Sequence, residues 1–304
     1  MPEPSTSHGT PVQPYAAVSD IQRCSFDDGD GLRTTVFLKS CPLHCPWCHN
    51  PETISAKPVL LYNASRCIGC KTCAADCPDG LLLPIAGEIS CAALSGCRGC
   101  TCPQDALRVS GRYMPLDKIM AVIREDAPFY AASGGGVTLS GGEPLMQPEL
   151  CLALAESCRN EGIPVLLDTS GCVDCAPFDS VLAAVDEIYL DLKLPPARYP
   201  GVCGALRDFE QNLHTVVRSG KPYALRVPLI PGFSAERDTA REMAQYAADH
   251  GVNRVHLLPY NPLAASKYAQ LCRPWSFPKT WLSHDRLTEL LNVWQAVIPH
   301  TVLK

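Results

Sequence analysis

The 304-residue sequence has no lysine or arginine before Arg23, so its Pro- and Ser-rich start lacks the basic n-region of a secretory leader. No eighteen apolar residues run together anywhere, which excludes a hydrophobic span of transmembrane length. Excess positive charge is also missing. The formal net charge is -5 and no Lys/Arg block stands against that average, so there is no basic field to hold nucleic acid. These absences point to a cytoplasmic enzyme with no membrane or nucleic-acid partner, whose macromolecular partner is a protein. The hydrophobic content of 46% is enough for one large barrel-like domain or two smaller ones.

Cysteine, by contrast, is plentiful: there are 18. In a reducing compartment a long chain uses so many thiols for metal or redox chemistry rather than for disulfides. Cys41, Cys45 and Cys48 stand at C-x3-C-x2-C and offer three soft thiolates. A four-iron cubane held by three protein sulfurs keeps one iron open to a small molecule.

Residues 62–106 hold eight more cysteines, with Gly and Pro interrupting every regular pattern, and read as an inserted module. Cys67, Cys70, Cys73 and Cys77, followed by Pro78, form the C-x2-C-x2-C-x3-C-P run of bacterial ferredoxins, whose fourth cysteine ligates the other cluster of a pair. Cys91, Cys97, Cys100 and Cys102, followed by Pro103, depart from that spacing. With crossed ligation, Cys67, Cys70, Cys73 and Cys102 take one cluster and Cys91, Cys97, Cys100 and Cys77 the other. A zinc site is the alternative for Cys97 and Cys100. Cys24, Cys151, Cys158, Cys172, Cys175, Cys203 and Cys272 are mostly isolated and read as small buried hydrophobes.

Outside the insert, β-branched runs at residues 33–39, 136–139, 164–168, 187–193, 223–229 and 254–259 alternate with amphipathic stretches. This is the pattern of a parallel sheet with crossover helices. Ile119, Val122, Ile123 and Phe129 mark one helical stripe, Leu287, Leu290, Leu291 and Trp294 another, and Pro148 suits a first turn. Ligands gather beyond the carboxyl ends of such strands. There the sequence places the three-cysteine loop, then Gly141, Gly142 and Glu143, then Asp168, then Asp191 and Lys193, with Arg226 in the fifth run. A helix cap or a solvated strand end accounts for any one of these charges. Caps alone do not account for five converging on the rim that carries the three cysteines.

These residues resemble the radical S-adenosylmethionine enzymes and, within them, the activating enzymes of glycyl radical enzymes. The likeness rests on Asp-Gly-Asp-Gly-Leu-Arg at 28–33, the loop from Cys41 to Cys48 continued by His49-Asn50-Pro51-Glu52, and Ser-Gly-Gly-Gly-Val-Thr-Leu-Ser-Gly-Gly-Glu-Pro at 133–144. It continues through Asp-Thr-Ser-Gly at 168–171, Asp-Leu-Lys at 191–193, residues 225–232 and Leu-Leu-Pro-Tyr-Asn at 257–261. It implies a partial (β/α)6 TIM-like barrel with an inserted ferredoxin-like domain. The divisions are a tail at 1–15, core at 16–61, insert at 62–106 and the remaining core at 107–304.

The resemblance further implies a site-differentiated 4Fe-4S cluster that binds S-adenosylmethionine through its amino and carboxylate groups. Reductive cleavage then yields methionine and a 5′-deoxyadenosyl radical, which takes a hydrogen atom from a backbone glycine of a partner enzyme. By this likeness Gly141, Gly142 and Glu143 seat the methionyl amino group. Asp168, Asp191, Lys193 and Arg226 contact the methionyl end, the ribose or a monovalent cation. Trp47 lies near the adenine, and Asn261 stands where many members carry a histidine beside the cofactor. Asp28 and Arg33 meet the partner. The insert matches the subgroup with two auxiliary 4Fe-4S clusters, and a flavodoxin or ferredoxin-type protein is the reductant. Two other readings are a radical enzyme that matures another protein or builds a small-molecule cofactor, and an electron carrier built around the insert. The carrier leaves Cys41, Cys45 and Cys48 unexplained.

Overall fold

The computed structural model describes residues 15–75 and 102–304. The expected tail up to residue 14, together with Cys77, Cys91, Cys97 and Cys100, lies outside the described residues. All six expected strands form: β2 (Arg33–Leu38), β6 (Gly136–Gly141), β7 (Val165–Thr169), β8 (Glu187–Asp191), β9 (Tyr223–Leu229) and β10 (Val255–Pro259). Five more accompany them, β1 (Tyr15–Ser25), β3 (Val59–Tyr62), β4 (Leu107–Ser110), β5 (Arg112–Pro115) and β11 (Thr301–Leu303).

Nine strands make one sheet in the order β11-β10-β9-β8-β7-β6-β2-β1-β5. Every pair from β2 to β11 is parallel, while β1 runs antiparallel between β2 and β5. Because the parallel strands follow one another in sequence, each right-handed crossover steps the same way and returns over the same face. That face is covered by α2 (Leu116–Ser133), α3 (Pro148–Asn160), α4 (Cys175–Ala184), α6 (Phe209–Arg218), α7 (Arg237–Asp249) and α9 (His284–Gln295). Shorter helices are α1 (Thr72–Ala75), α5 (Tyr199–Val202) and α8 (Ala264–Gln270). The other face of the sheet is left for chemistry. Since β5 and β11 form its two ends rather than a closing pair, the barrel is partial.

Strand alternation separates the faces. In β9, Leu225, Val227 and Leu229 join the main apolar core, whereas Arg226 and Pro228 line the central cavity. The first helical stripe needs one correction. Ile119, Ile123 and Tyr130 are buried, but Phe129 is 48% exposed, because the inward face runs through Asp126 and Tyr130 and leaves Phe129 one position off it. In α9, Leu290 and Trp294 form the buried edge, and Pro148 opens α3 as expected. Of the seven isolated cysteines, Cys151, Cys158, Cys172 and Cys203 are buried, while Cys24 and Cys272 are exposed.

Residues 133–136 pack directly on residues 28–33. The Ser133 hydroxyl accepts from the Leu32 N–H at 2.8 Å, and the Gly136 N–H donates to the Leu32 carbonyl at 3.2 Å. A Cβ on Gly135 would stand 1.8 Å from the Leu32 carbonyl oxygen, so only glycine lets the two segments meet. β3 pairs with β4 in antiparallel register from Val59↔Ser110 to Tyr62↔Leu107. Tyr62 and Leu107 are therefore set side by side.

Candidate functional site

A cavity of about 720 Å³ opens over the inner face of the sheet. Its walls include Cys41, Cys45, Cys48, Trp47, Gly141, Gly142, Asp168, Asp191, Lys193, Arg226, Asn261 and Asp28. Apart from Asp28, which precedes β2, these residues converge from β2, β6, β7, β8, β9 and β10, in or just beyond the strands.

The three-cysteine loop is held by backbone bonds to its surroundings. Ser40 and Cys41 N–H groups donate to the Thr53 and Ile54 carbonyls at 2.8 and 3.1 Å, and the His44 N–H donates to the Cys203 carbonyl at 2.7 Å. Burial pushes the Cys41 thiol up, and it pushes Cys48 up to about 11. Cys45 moves down, chiefly through a hydrogen bond from the Cys203 thiol. Desolvated thiolates of this kind need a cation, and three sulfurs in one wall are a donor set suited to iron.

Behind the cysteines lies a charged network. Lys193 Nζ donates to Asp191 at 2.6 Å, Arg226 stands 3.1 Å from Asp168, and Ser140 donates to Asp168 at 2.7 Å. Burial works against the Lys193 ammonium, but Asp191 and Cys45 carry it well above its usual value. Asp168 Oδ1, Asp191 Oδ1 and Arg226 Nη1 are buried and have no hydrogen-bond partner among the described residues. Buried polar atoms without partners are costly unless a ligand completes them. These atoms fit the amino, carboxylate and ribose groups of S-adenosylmethionine.

Trp47 packs against Phe233 and Phe277 with ring centroids 4.8 and 6.0 Å apart, which gives the cavity an aromatic shelf. Asn261 Oδ1 accepts from the Leu263 N–H at 3.0 Å and so caps the turn after β10.

Two expectations change. Glu143 is fully buried and does not line the cavity. Its carboxylate accepts from the Thr169 hydroxyl, the Ser170 N–H, the Ser170 hydroxyl and the Leu145 N–H at 2.6–3.1 Å. It ties the end of β6 to the end of β7, and what faces the cavity from this motif is Gly141 and Gly142. Protein packing also demands glycine at both positions, since a Cβ on Gly141 would meet Leu38 N and O at 2.2 Å and one on Gly142 the Ser40 carbonyl oxygen at 2.3 Å. Arg33 is only 4% exposed, so it cannot reach a partner. Its guanidinium donates to Thr138 Oγ1 and the Val137 carbonyl, both at 2.7 Å, and to the Asp30 carbonyl at 3.3 Å. Asp28 does face the cavity, braced by the Ser25 and Thr35 hydroxyls at 2.6 and 2.7 Å.

The structure also adds residues that the motifs did not single out. His256 lines the cavity at 2% exposure, beside Arg226 in the β9–β10 register, and meets the Tyr189 ring edge-on at 5.4 Å. Its inward place follows from strand alternation with Leu258, a signal present in the sequence. Lys267 Nζ bridges Asn50 Oδ1 and Glu52 Oε1 at 2.6 and 2.8 Å, joining α8 to the segment after the cysteine loop. No sequence spacing links those positions.

Cys67, Cys70, Cys73 and Cys102 line a second cavity of about 40 Å³. The Thr72 hydroxyl donates to Cys70 Sγ at 3.4 Å and lowers its pKa, as the Gln104 N–H does for Cys102.

Residues 91–244 match the Radical SAM superfamily, and residues 27–78 match a 4Fe-4S single cluster domain. The chain is 35% identical to the indoleacetate decarboxylase activating enzyme of Tractidigestivibacter scatoligenes, over 86% of this chain and 89% of that one. It is 33% identical to the benzylsuccinate synthase activating enzyme of Thauera aromatica, over 92% and 89%. It is also 33% identical to the pyruvate formate-lyase 2-activating enzyme of Escherichia coli (strain K12), over 86% and 82%. The solved structure of Streptococcus suis SuiB bound to precursor peptide SuiA shares the fold alone, at TM-score 0.52 and 12% identity, covering 87% of this chain and 46% of that one. The three-cysteine cavity at the strand ends and these relatives agree: the chain belongs to the radical S-adenosylmethionine superfamily, in the family of glycyl radical enzyme activating enzymes.

Proposed function

We propose that this chain converts one backbone glycine of a glycyl radical enzyme to a glycyl radical, consuming S-adenosylmethionine. The observation that carries this reading is the convergence of three cysteine thiols and the unsatisfied atoms of Asp168, Asp191 and Arg226 on one cavity. When bound, the cluster and S-adenosylmethionine supply the electron and the carbon radical that removes a hydrogen atom from the glycine. Cys41, Cys45 and Cys48 hold three irons. Gly141 and Gly142 present backbone to the methionyl amino group, with Glu143 fixing that turn from behind. Asp168, Asp191, Lys193 and Arg226 orient the methionyl carboxylate, the ribose or a monovalent cation. Trp47 shelves the adenine and Asn261 bounds it. Walls of apolar and charged side chains exclude water that would quench the radical.

The partner enters where Asp28 lines the cavity beside the 76% exposed Phe26, and Arg33 supports that segment from within. Around the second cavity, Cys67, Cys70, Cys73 and Cys102 support the crossed ligation of one auxiliary 4Fe-4S cluster. Cys77, Cys91, Cys97 and Cys100 are assigned to the second auxiliary cluster on sequence alone. A flavodoxin or ferredoxin-type donor in the cytoplasm completes the reading, and no helix among the described residues is long and apolar enough to cross a membrane.

The test uses anaerobically reconstituted protein, which is expected to hold about twelve irons as three cubanes. Changing Cys41, Cys45 and Cys48 together to Ala removes about four irons and all reductive cleavage of S-adenosylmethionine. Persistent cleavage in that variant sinks the assignment. Reduced protein mixed with S-adenosylmethionine and candidate glycyl radical enzymes should give a glycine-centred electron paramagnetic resonance signal. Cleavage without that signal for any partner transfers the reading to a radical enzyme that matures another protein or builds a cofactor.

A further inference from the structure

On the helical face of the sheet, remote from the cavity, Glu210 and His214 stand one turn apart on α6, and His250 follows the C-terminus of α7. One ligand atom from each of the three lies within 4.8 Å of the other two. We propose that these side chains form a zinc site that clasps α6 to α7, with the fourth position open to water.

Zinc bonds of about 2.0–2.1 Å in a tetrahedron put neighbouring ligand atoms about 3.3 Å apart. His250 Nε2 and Glu210 Oε1 already stand at 3.3 Å. The His214 ring lies 5.1 Å from the His250 ring, centroid to centroid. The Glu210 side chain is 66% exposed, so it can turn to close the set.

The orientation of His250 separates this arrangement from an ordinary surface ion pair. Its Nδ1 lies 2.7 Å from the Tyr246 carbonyl, and the Tyr246 ring packs on it at 4.1 Å. Donation from Nδ1 to a backbone carbonyl fixes the tautomer that leaves Nε2 as a lone-pair donor, the usual support for a metal-bound imidazole. Two imidazoles and one carboxylate suit zinc, which takes such sets readily with a water completing the coordination.

The test titrates zinc chloride into cluster-loaded protein under anaerobic conditions by calorimetry. It compares the native chain with His214→Ala and with the milder Glu210→Gln. Iron content monitors folding and cluster integrity in each. Zinc sites elsewhere, such as exposed thiols, are common to all three proteins and cancel in the comparison. The native chain should bind one zinc more than His214→Ala, and Glu210→Gln should bind that zinc roughly tenfold more weakly or worse. Zinc should also raise the melting temperature of the native chain more than that of His214→Ala. Equal zinc stoichiometry and affinity in all three proteins, at equal iron content, overturns the proposal.

Discussion

Arg226 stands 3.1 Å from Asp168 in the cavity, charge against charge, yet among the described residues Asp168 Oδ1 and Arg226 Nη1 have no aligned hydrogen-bond partner. Burial pushes the Asp168 carboxyl up to about 6; Arg226 opposes the rise and Asp191 adds to it. The pair is a charged contact with unused hydrogen-bonding capacity, which a polar ligand can complete. Asp168→Asn should therefore weaken S-adenosylmethionine binding by roughly 10- to 100-fold, the loss of one charge-assisted hydrogen bond, without loss of iron. Equilibrium dialysis on cluster-loaded protein measures it. Unchanged affinity removes Asp168 from the binding set.

His256 gives the chain a pH dependence of known sign. Burial, then the positive charges of Arg254, Lys304 and Arg226, lower it from 6.5 to about 4. The unfolded chain takes up a proton as the pH falls through 6.5, while the folded chain does not until about 4. Stability from this residue is thus full above pH 6.5 and is lost as the pH falls toward 4. Asp168 has the opposite slope, since its raised carboxyl favours the folded state at low pH. Comparing the native chain with His256→Gln isolates the histidine. Between pH 7.5 and 5.5 the native chain should lose about 1 kcal/mol more than the variant, read from denaturant midpoints. Equal losses show that His256 titrates normally.

The close fit of residues 133–136 on residues 28–33 predicts a sharp contrast between two glycines. Gly135→Ala places a methyl group 1.8 Å from the Leu32 carbonyl and should cost about 3 kcal/mol or more. Gly201→Ala, in the short helix α5 with no heavy atom of the described residues within 4 Å of the new Cβ, should change stability by less than ~1 kcal/mol and in the favourable direction. Thermal melts of both variants decide, and similar melting temperatures would contradict the packing described.

Arg33 supports the mouth of the cavity from inside. Arg33→Ala leaves Thr138 Oγ1 and the Val137 carbonyl without their buried donor, so it should lower stability by roughly 2–4 kcal/mol. Loss of partner activation should follow that destabilisation and recover on cooling. A variant with native stability but weakened partner binding would return Arg33 to the contact surface.

Much of the site was legible because strand-end chemistry is local. A short, mainly apolar run ending in Asp168, or in Asp191 and Lys193, fixes both the strand and the direction its last side chains take. All six of these strands formed within two residues of their expected bounds. β1, β5 and β11 carry no strand pattern of their own. β5 and β11 are short, at four and three residues, and β1 mixes Asp20, Gln22 and Arg23 among its apolar positions. Such strands are defined by the neighbours they pair with rather than by their own pattern.

The ligand classes are written in the residues themselves: three thiols at a spacing that leaves an iron open, ferredoxin-type cysteine runs, and charges at consecutive strand ends. Those follow from residue type and short-range order, which a chain carries before it folds. Which of these groups face the cavity and which hold it up depends on packing between distant segments. Glu143 and Arg33 carry charge in motifs that read as contact surface, yet each turns inward, because a buried donor or acceptor lay within reach and desolvation left no freedom to ignore it. Strand alternation turns His256 inward, but only the folded sheet sets it beside Arg226 of β9 in register and edge-on to the Tyr189 ring, across long stretches of chain.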